Sequence, residues 1–144
     1  DCQIGSHTIM ANATQLAGHV AVGDWAILGG LTGVHQFVRI GAHAMTGAGT
    51  ILLQDLPPYV IATGNPAAAH GINAEGLQRR GMSAAQIALL RRAYKLVYKS
   101  GLTLADSLTQ LQDANSIGAA DAQDQAVLSP LMDFLAASGR GIVR

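Results

Sequence analysis

The amino-acid sequence predicts a left-handed parallel β-helix followed by an α-helical domain, so that the chain is mainly β and then α. Two observations predict the β-helix: an aliphatic or near-aliphatic residue recurs every six positions, and the next residue is small or Gly at seven of nine repeats. A third observation, the change to a helical period near residue 73, predicts the second part. We therefore expect coils and a closing turn over residues 1–72 and an α-helical domain over residues 73–144.

The period-six row runs through the first third of the chain. Its members are Ile4, Met10, Leu16, Val22, Leu28, Val34, Ile40, Thr46 and Leu52. In a hexapeptide solenoid each repeat forms one short strand and one corner, and three repeats form a triangular coil with the aliphatic row inside. Residues one coil apart, 18 positions in this sequence, should therefore stack about 4.8 Å apart. After Asp55, Pro57 and Pro58 remove backbone donors and end the pairing.

A last strand and a turn are predicted over residues 60–67. Beyond them, capping residues and apolar periodicity predict four helices, over residues 73–80, 83–100, 103–113 and 124–137. Asn73 caps the first helix, and Ser83 with Gln86 forms a capping box for the second. Residues 114–123, rich in Ala, Asn, Ser, Gly and Asp, are predicted to be a linker or mobile loop.

Composition narrows the functional class. The chain has 144 residues, of which 49% are hydrophobic and 12% charged, and its formal net charge is zero. These values indicate a soluble globular protein and argue against a polycationic nucleic-acid binder. No apolar run approaches the length of a membrane span. Because the chain begins at Asp1 inside a repeat and solenoids are normally capped, we expect it to be the C-terminal part of a longer protein.

Four segments carry a resemblance to a known family: NATQLAGHV (12–20), GGLTGVHQF (29–37), QDLPPYVIA (54–62) and GINAEGLQRRG (71–81). Together they resemble the acyl-[acyl-carrier-protein]:UDP-N-acetylglucosamine O-acyltransferases. The similarity extends over nearly the whole chain and is weakest around residues 114–125. Hexapeptide repeats alone say little about function, because the fold hosts many activities; the last of the four segments makes the match specific.

The resemblance implies an enzyme. It would transfer a 3-hydroxyacyl group from acyl carrier protein to the 3-hydroxyl of UDP-N-acetylglucosamine, the first step of lipid A biosynthesis. The family acts as a cytoplasmic homotrimer with its sites between subunits. The resemblance implies no cofactor apart from the carrier-bound acyl group as co-substrate, and no metal, nucleic acid or integral membrane segment.

The implied chemistry uses a His general base paired with an Asp. Asp1 matches that Asp, and the base matches the position immediately before it, so this chain lacks the base. Gly18 and Gln36 lie one and two coils beyond that position, so the stacking rule places them in one row. The resemblance implies that the Gly18 backbone N–H stabilises the oxyanion, whereas spacing alone favours a plain corner glycine. His19 and His35 flank the row and match substrate-contacting histidines; a structural role is the alternative.

A second set of residues matches the family's nucleotide contacts: Asn73, Glu75, Arg79 and Arg80. Arg suits a diphosphate because its planar donor fork is permanently charged. The alternative is that all four are solvated helix-surface residues. Ala48 matches the position where one side chain limits the acyl groove. Arg91, Arg92 and Lys95 form a basic face that could meet an acidic carrier protein or simply be solvated.

Three interpretations remain open. Besides the O-acyltransferase, the chain could be another hexapeptide acyltransferase, such as the N-acyltransferase acting later in lipid A synthesis. It could also be a trimerising fragment that holds nucleotide without catalysis, an interpretation favoured by the missing His. His7 and His43, each one coil from Trp25, could form an outer stacking ladder, and we assign them no chemistry.

Overall fold

The computed structural model describes residues 1–144. Its first part consists of nine two-residue strands: β1 Gln3–Ile4, β2 Ile9–Met10, β3 Gln15–Leu16, β4 Ala21–Val22, β5 Ile27–Leu28, β6 Gly33–Val34, β7 Arg39–Ile40, β8 Met45–Thr46 and β9 Ile51–Leu52. They form three parallel sheets, β1-β4-β7 (face A), β2-β5-β8 (face B) and β3-β6-β9 (face C). The register is the predicted 18 residues, as in the pair Gln3 and Ala21. The predicted parallel β-helix is therefore confirmed.

The recurring aliphatic row fills the axis of the coils. Its members from Val22 onward are at most 5% exposed, while Ile4 and Met10 of the first coil are exposed. Thr46 is the polar member of the row, and its buried hydroxyl lies 2.9 Å from the Thr32 hydroxyl and accepts a hydrogen bond from the Gly29 amide at 3.1 Å. This pairing explains how a polar residue is accommodated on the axis, because a buried hydroxyl is tolerated when it is hydrogen-bonded.

Each corner turns through a residue in the left-handed conformation. Seven of these residues carry a side chain and have φ between 56° and 65°: His7, Ala13, His19, Trp25, Leu31, Phe37 and His43. Such a conformation is uncommon outside glycine, and here it recurs every six positions. It produces columns of corner side chains that are one coil apart in sequence.

The corner between faces A and B carries a column of four stacked rings, His7, Trp25, His43 and Tyr59, which we call the aromatic column. The ring centroids of successive members are 4.1, 6.3 and 5.7 Å apart, with the planes within 14° of parallel. The predicted outer ladder of His7, Trp25 and His43 is confirmed. Tyr59 extends it beneath the coils, and the Tyr59 hydroxyl donates to the carbonyl oxygen of Val127 at 2.8 Å.

Two strands close the coils. β10 Val60–Thr63 continues face B beside β8, and β11 Ala68–Ile72 pairs with β10 in the antiparallel direction. The predicted last strand is thus confirmed, but the prediction stopped at a turn and missed β11. The sequence of β11, Ala-Ala-His-Gly-Ile, has no apolar alternation. Its strand conformation comes from pairing with β10 rather than from its own pattern.

Five helices follow: α1 Ala74–Arg79, α2 Ala84–Lys99, α3 Leu104–Gln112, α4 Ala114–Ile117 and α5 Ala122–Ala136. The first three begin where predicted. The side chains of Asn73, Ser83 and Thr103 accept hydrogen bonds from helix amides, and Ser83 with Gln86 forms the capping box.

The prediction of a linker over residues 114–123 is wrong. The segment contains α4, which Asp113 caps and which ends at Gly118 with φ of 77°. Ile117 of this short helix is 4% exposed and joins the core of the helical part. The last helix begins two residues before the predicted Asp124, because the side chain of Asp121 accepts from the Asp124 amide and caps it there.

The helices and the coils share a boundary of packed side chains. β11 ends at Ile72 and α1 begins at Ala74, yet the C-terminal tail returns to the coils, where Ile142 pairs with Asp55 and Val143 joins the coil core. The division into domains at residues 72 and 73 therefore remains a prediction. None of the five helices combines the length and the apolar character that spanning a membrane requires.

Candidate functional site

The residues predicted to contact a nucleotide lie together. Asn73, Glu75, Arg79 and Arg80 line one side of a cleft of about 340 Å³, and the opposite side is formed by His7, Trp25, Ile9, Ile27 and Met45. The cleft thus lies between α1 and the aromatic column with face B. It combines a flat aromatic wall with two guanidinium groups, which suits a ligand that has both a planar ring and negative charge.

Asn73 fixes the start of α1 and keeps one donor free. Its backbone amide donates to the Tyr59 carbonyl at 2.7 Å, and its side-chain oxygen accepts from the Gly76 amide at 3.2 Å. The side-chain nitrogen Nδ2 is buried and has no hydrogen-bond partner. Buried polar atoms are normally paired, so this nitrogen is an unused donor at a residue that lines the cleft.

Arg80 follows the last residue of α1 and reaches back to the coils. Its Nη1 lies 2.9 Å from Nδ1 of His43, and its guanidinium carbon lies 5.3 Å from the centre of the Trp25 ring. Burial lowers the pKa of Arg80 from its usual 12.5. The guanidinium remains charged at neutral pH, since arginine does not lose its proton in proteins.

His43 is half-buried in the aromatic column. Burial lowers its pKa below the usual 6.5, the positive charge of Arg80 lowers it further, and the carboxylate of Asp24 opposes the change. Because a guanidinium can only donate, Nδ1 of His43 must be the acceptor and the ring proton must be on Nε2. The structure therefore holds a neutral His43.

Glu75 and Arg79 pair with each other on the exposed side of α1, with Oε1 and Nη2 2.5 Å apart and both side chains 76% exposed. An exposed pair of this kind contributes little to stability. Both side chains can therefore turn toward a ligand at small cost.

The residues predicted for catalysis lie elsewhere, at the corner between faces C and A. The Gly18 carbonyl accepts from the Phe37 amide at 3.0 Å, and His19 stacks on Phe37 with ring centroids 4.8 Å apart. The Gly18 N–H has no acceptor in the chain, and a Cβ at Gly18 would meet nothing within 4 Å. Gly18 therefore keeps an unpaired amide donor at an exposed corner that no side chain crowds.

The amide of a residue at the neighbouring corner donates a hydrogen bond to a carboxylate oxygen, as the Gly18 amide would donate to a substrate oxygen. The amide of Ser6, which occupies the same place in its repeat as Gly18, donates to the Asp24 carboxylate at 2.8 Å. At that corner the amide points at a carboxylate oxygen of the residue one coil further along the chain. At Gly18 the residue one coil below is Gln36, whose backbone carbonyl accepts from Nη1 of Arg140 at 2.9 Å.

The remaining predicted site residues lie at the surface of the coils. Asp1 and His35 are exposed, and the His35 amide donates to the Leu52 carbonyl at 2.9 Å. Ala48 is exposed at the corner between faces B and C. One chain thus places the predicted catalytic, nucleotide and acyl residues at three different corners and does not bring them together.

The sequence interpretation missed the coil side of the cleft. It assigned no chemistry to His7, Trp25 or His43, although their spacing of one coil, 18 residues, and their aromatic character were visible. What was not visible is that α1 folds back onto their column.

A larger groove of about 530 Å³ runs along face A beside α5, but it contains none of the predicted site residues. The structure contains no cluster of three or more His, Cys, Asp or Glu that could hold a metal ion.

Three coils of parallel strands, followed by helices that fold back to build a cationic cleft on one corner, define a hexapeptide-repeat β-helix protein with a C-terminal helical part. The chain belongs to the UDP-N-acetylglucosamine O-acyltransferase family, because the family model described as "Udp N-acetylglucosamine O-acyltransferase; Domain 2" matches residues 55–143.

Similar proteins support the same family over the whole chain. Acyl-[acyl-carrier-protein]–UDP-N-acetylglucosamine O-acyltransferase from Burkholderia lata is 52% identical over 144 residues, which are 100% of this chain and 54% of that relative. The protein of the same name from Thiobacillus denitrificans is also 52% identical, with 100% of this chain and 53% of the relative covered. The chain thus spans about half the length of these relatives.

Solved structures agree with the fold. The crystal structure of UDP-N-acetylglucosamine O-acyltransferase (LpxA) from Moraxella catarrhalis matches with a TM-score of 0.92 and 39% identity, covering 100% of this chain and 53% of that one. The structure of LpxA from Acinetobacter baumannii matches with a TM-score of 0.90 and 45% identity, covering 100% and 54%.

Proposed function

We propose that the protein transfers a 3-hydroxyacyl group from acyl carrier protein to the 3-hydroxyl of UDP-N-acetylglucosamine, in the cytoplasm and without a metal or further cofactor. The observation that carries this proposal is the cleft in which Asn73, Glu75, Arg79 and Arg80 face the aromatic column. The names of the relatives state acyl-[acyl-carrier-protein] and UDP-N-acetylglucosamine as the substrates of those proteins.

The cleft supplies groups for each part of a nucleotide. Arg79 and Arg80 offer charged donors to the diphosphate. The unpaired Nδ2 of Asn73 offers a donor to a uracil or ribose oxygen, and the Glu75 carboxylate offers an acceptor to a hydroxyl.

Transfer requires a base and a donor for the oxyanion. We assign the base to a His immediately before Asp1, as the family resemblance implies, with Asp1 orienting it and the free Gly18 amide receiving the thioester oxyanion. His19, His35 and Gln36 on the same corner would contact the substrates. Ala48 would limit the acyl groove.

A second copy of the chain would complete the site. The nucleotide residues and the row of Gly18 lie on different corners of one β-helix, so a nucleotide sugar held in the cleft would meet that row on a neighbouring copy. We propose a homotrimer, since three triangular coils side by side would give three such sites. Sedimentation of the protein should show a trimer; a monomer at high concentration would contradict a site built from two copies.

A basic cleft offers a surface for the acyl carrier protein. It measures about 330 Å³ between β11 and α2 and is lined by His70, Arg91, Lys95 and Lys99 among others. The three basic residues of α2 make no ion pair within the chain. Unpaired positive charge of this kind attracts an acidic partner.

Binding of UDP-N-acetylglucosamine by calorimetry tests the proposed function. Arg79→Ala should weaken binding by roughly tenfold, because one charge-assisted hydrogen bond contributes about 1.5–3 kcal/mol. Lys99→Ala, which removes a positive charge outside the nucleotide cleft, is the matched control and should bind UDP-N-acetylglucosamine like the unchanged protein. Equal affinity of all three proteins would place the diphosphate elsewhere.

A further inference from the structure

The bond between His43 and Arg80 holds the end of α1 against the coils. No other hydrogen bond joins residues 78–82 to the β-helix. We propose that His43 is a positioning residue: its neutral imidazole holds the Arg80 guanidinium against Trp25 in the nucleotide cleft, and its protonation releases that guanidinium. This inference rests on the proposed function, in which the cleft takes the diphosphate of a nucleotide sugar.

Contacts other than the one with Arg80 fix the position of the His43 imidazole. His43 lies between the rings of Trp25 and Tyr59, and its backbone amide donates to the Asp24 carbonyl at 2.9 Å. Tyr59 is itself anchored to α5 through its hydroxyl. An acceptor atom in such a column has a defined position, so it can orient a long and flexible arginine side chain.

Both ends of α1 are attached to the same column. At the start of the helix the Asn73 amide donates to the Tyr59 carbonyl, and beyond its end Arg80 donates to His43. The helix that carries Glu75 and Arg79 therefore sits at a fixed distance from the aromatic wall. Loss of the second attachment would free the end of α1 while the first remained.

Protonation would reverse the contact. In a charged imidazole both nitrogens are donors, and Arg80 can only donate, so the bond would be replaced by repulsion between two cations. The charged and titratable groups around His43 are Arg80, Asp24, Tyr59 and, on α1, Glu75 and Arg79. Burial raises the pKa of Tyr59 to about 12, so that phenol stays neutral. The Asp24 carboxylate favours a protonated His43, whereas the Glu75 carboxylate is paired with Arg79 on the exposed side of α1.

Ring packing alone does not require a nitrogen acceptor at this position. Phe37 has the same left-handed backbone, with φ of 65°, and stacks on His19 in its own column. His43→Phe should therefore fill the aromatic column while removing both ring nitrogens, including the Nδ1 acceptor of the Arg80 bond. His43→Asn tolerates the left-handed backbone and places a side-chain oxygen near the position of Nδ1, without a titratable ring.

The test is the affinity for UDP-N-acetylglucosamine, measured by calorimetry from about pH 8 to about pH 5.5. This ligand gains no proton in that range because its diphosphate is doubly esterified. At the higher pH, His43→Phe should bind about fivefold or more weakly and His43→Asn within about twofold of the unchanged protein, as expected for one charge-assisted hydrogen bond. On acidification the unchanged protein should lose affinity, and both variants should lose less.

His70→Asn is the matched control, since it removes an imidazole outside the nucleotide cleft and should keep the loss of affinity at low pH. Tighter binding on acidification would mean that a charged His43 meets the diphosphate directly, and it would overturn the proposal. Equal affinity and equal pH dependence of His43→Phe and the unchanged protein would overturn it as well, while leaving the proposed function intact. No binding by the unchanged protein would contradict both.

A second readout needs neither ligand nor a substituted His43. The ring nitrogen chemical shifts of His43 should show a neutral ring with an unprotonated Nδ1, and Arg80→Gln should raise the pKa of His43. A proton on Nδ1, or an unchanged pKa in Arg80→Gln, would show that the two side chains are not linked.

Discussion

The hydroxyl of Ser138 donates a 2.9 Å hydrogen bond to Oδ2 of Asp55, joining the end of the chain to the last coil. Asp55 is 2% exposed, and its carboxylate also accepts from the backbone amide of Arg39 at 2.9 Å and from the Arg39 Nε at 3.4 Å. On the other side of the same residue, the Val143 amide donates to the Asp55 carbonyl at 2.8 Å. One buried residue thus connects face A to the C-terminal tail that follows α5.

Asp55→Ala should lower the free energy of unfolding by about 3 kcal/mol, as is typical when one partner of a buried ion pair is removed. Urea unfolding followed by circular dichroism measures this change. Asp133→Ala is the control, because Asp133 is exposed and makes no hydrogen bond through its side chain; it should change stability by no more than about 0.5 kcal/mol. Equal effects of the two substitutions would show that Asp55 does not anchor the tail.

Stability should fall as the pH drops through about 6.5. In the unfolded chain His43 has its usual pKa, whereas burial and Arg80 lower the pKa in the folded protein. Below the usual value the unfolded state therefore takes up a proton that the folded state does not, and stability decreases until the folded pKa is passed. Unfolding midpoints measured across this range should show a shallower pH dependence in His43→Phe than in the unchanged protein. Identical slopes would assign the effect to other groups.

The coils were predictable because a period of six determines both which residues face the axis and which residues stack. Ile40 pointing inward and the ladder of His7, Trp25 and His43 both follow from that spacing alone. The caps at Asn73 and Ser83 were predictable because they depend on a few neighbouring residues.

What depends on distant contacts was not predictable. α4 is a short helix whose formation depends on burying Ile117 against other helices, and β11 needs β10 as a partner. The candidate site was predicted as a set of residues through family resemblance, without its arrangement. That Arg80 reaches His43, 37 positions earlier in the chain, follows from how α1 packs and leaves no local pattern in the sequence.

Ala48 should influence the length of the acyl chain that the protein prefers. A methyl group at this corner is intermediate between Gly and larger side chains, so we expect a medium-length 3-hydroxyacyl donor. Ala48→Gly should shift the preference toward longer donors and Ala48→Met toward shorter ones, since one methylene in a fitted apolar slot changes binding by about 1–3 kcal/mol.

The measurement is competition among acyl carrier proteins with different chain lengths, using the chain joined behind the preceding half of its Burkholderia lata relative. Ala13→Gly, at another position along the corner between faces B and C, serves as a control for general effects on the coils. The same preference in every variant would show that Ala48 is only a small corner residue.

The basic cleft beside α2 should govern association with the acyl carrier protein. Lys95→Glu should slow association, because it replaces an attractive charge by a repulsive one. The association rate should also depend less on salt concentration, since ions screen the attraction between exposed charges. Stopped-flow measurement at two salt concentrations tests this expectation. Gln112→Glu, which adds a negative charge on the exposed side of α3, should leave the rate nearly unchanged. A similar slowing by both substitutions would indicate that only net charge matters.

The repeating register also limits how a protein of this shape can evolve. Groups in one column can be moved apart only by adding or removing a whole coil, which changes their separation in steps of about 4.8 Å. An insertion of one residue instead rotates every later side chain away from its column. Small changes in how a substrate fits the site must therefore come from the size and polarity of individual corner side chains. Substrate range can then diverge between relatives by single substitutions while the number of coils stays the same.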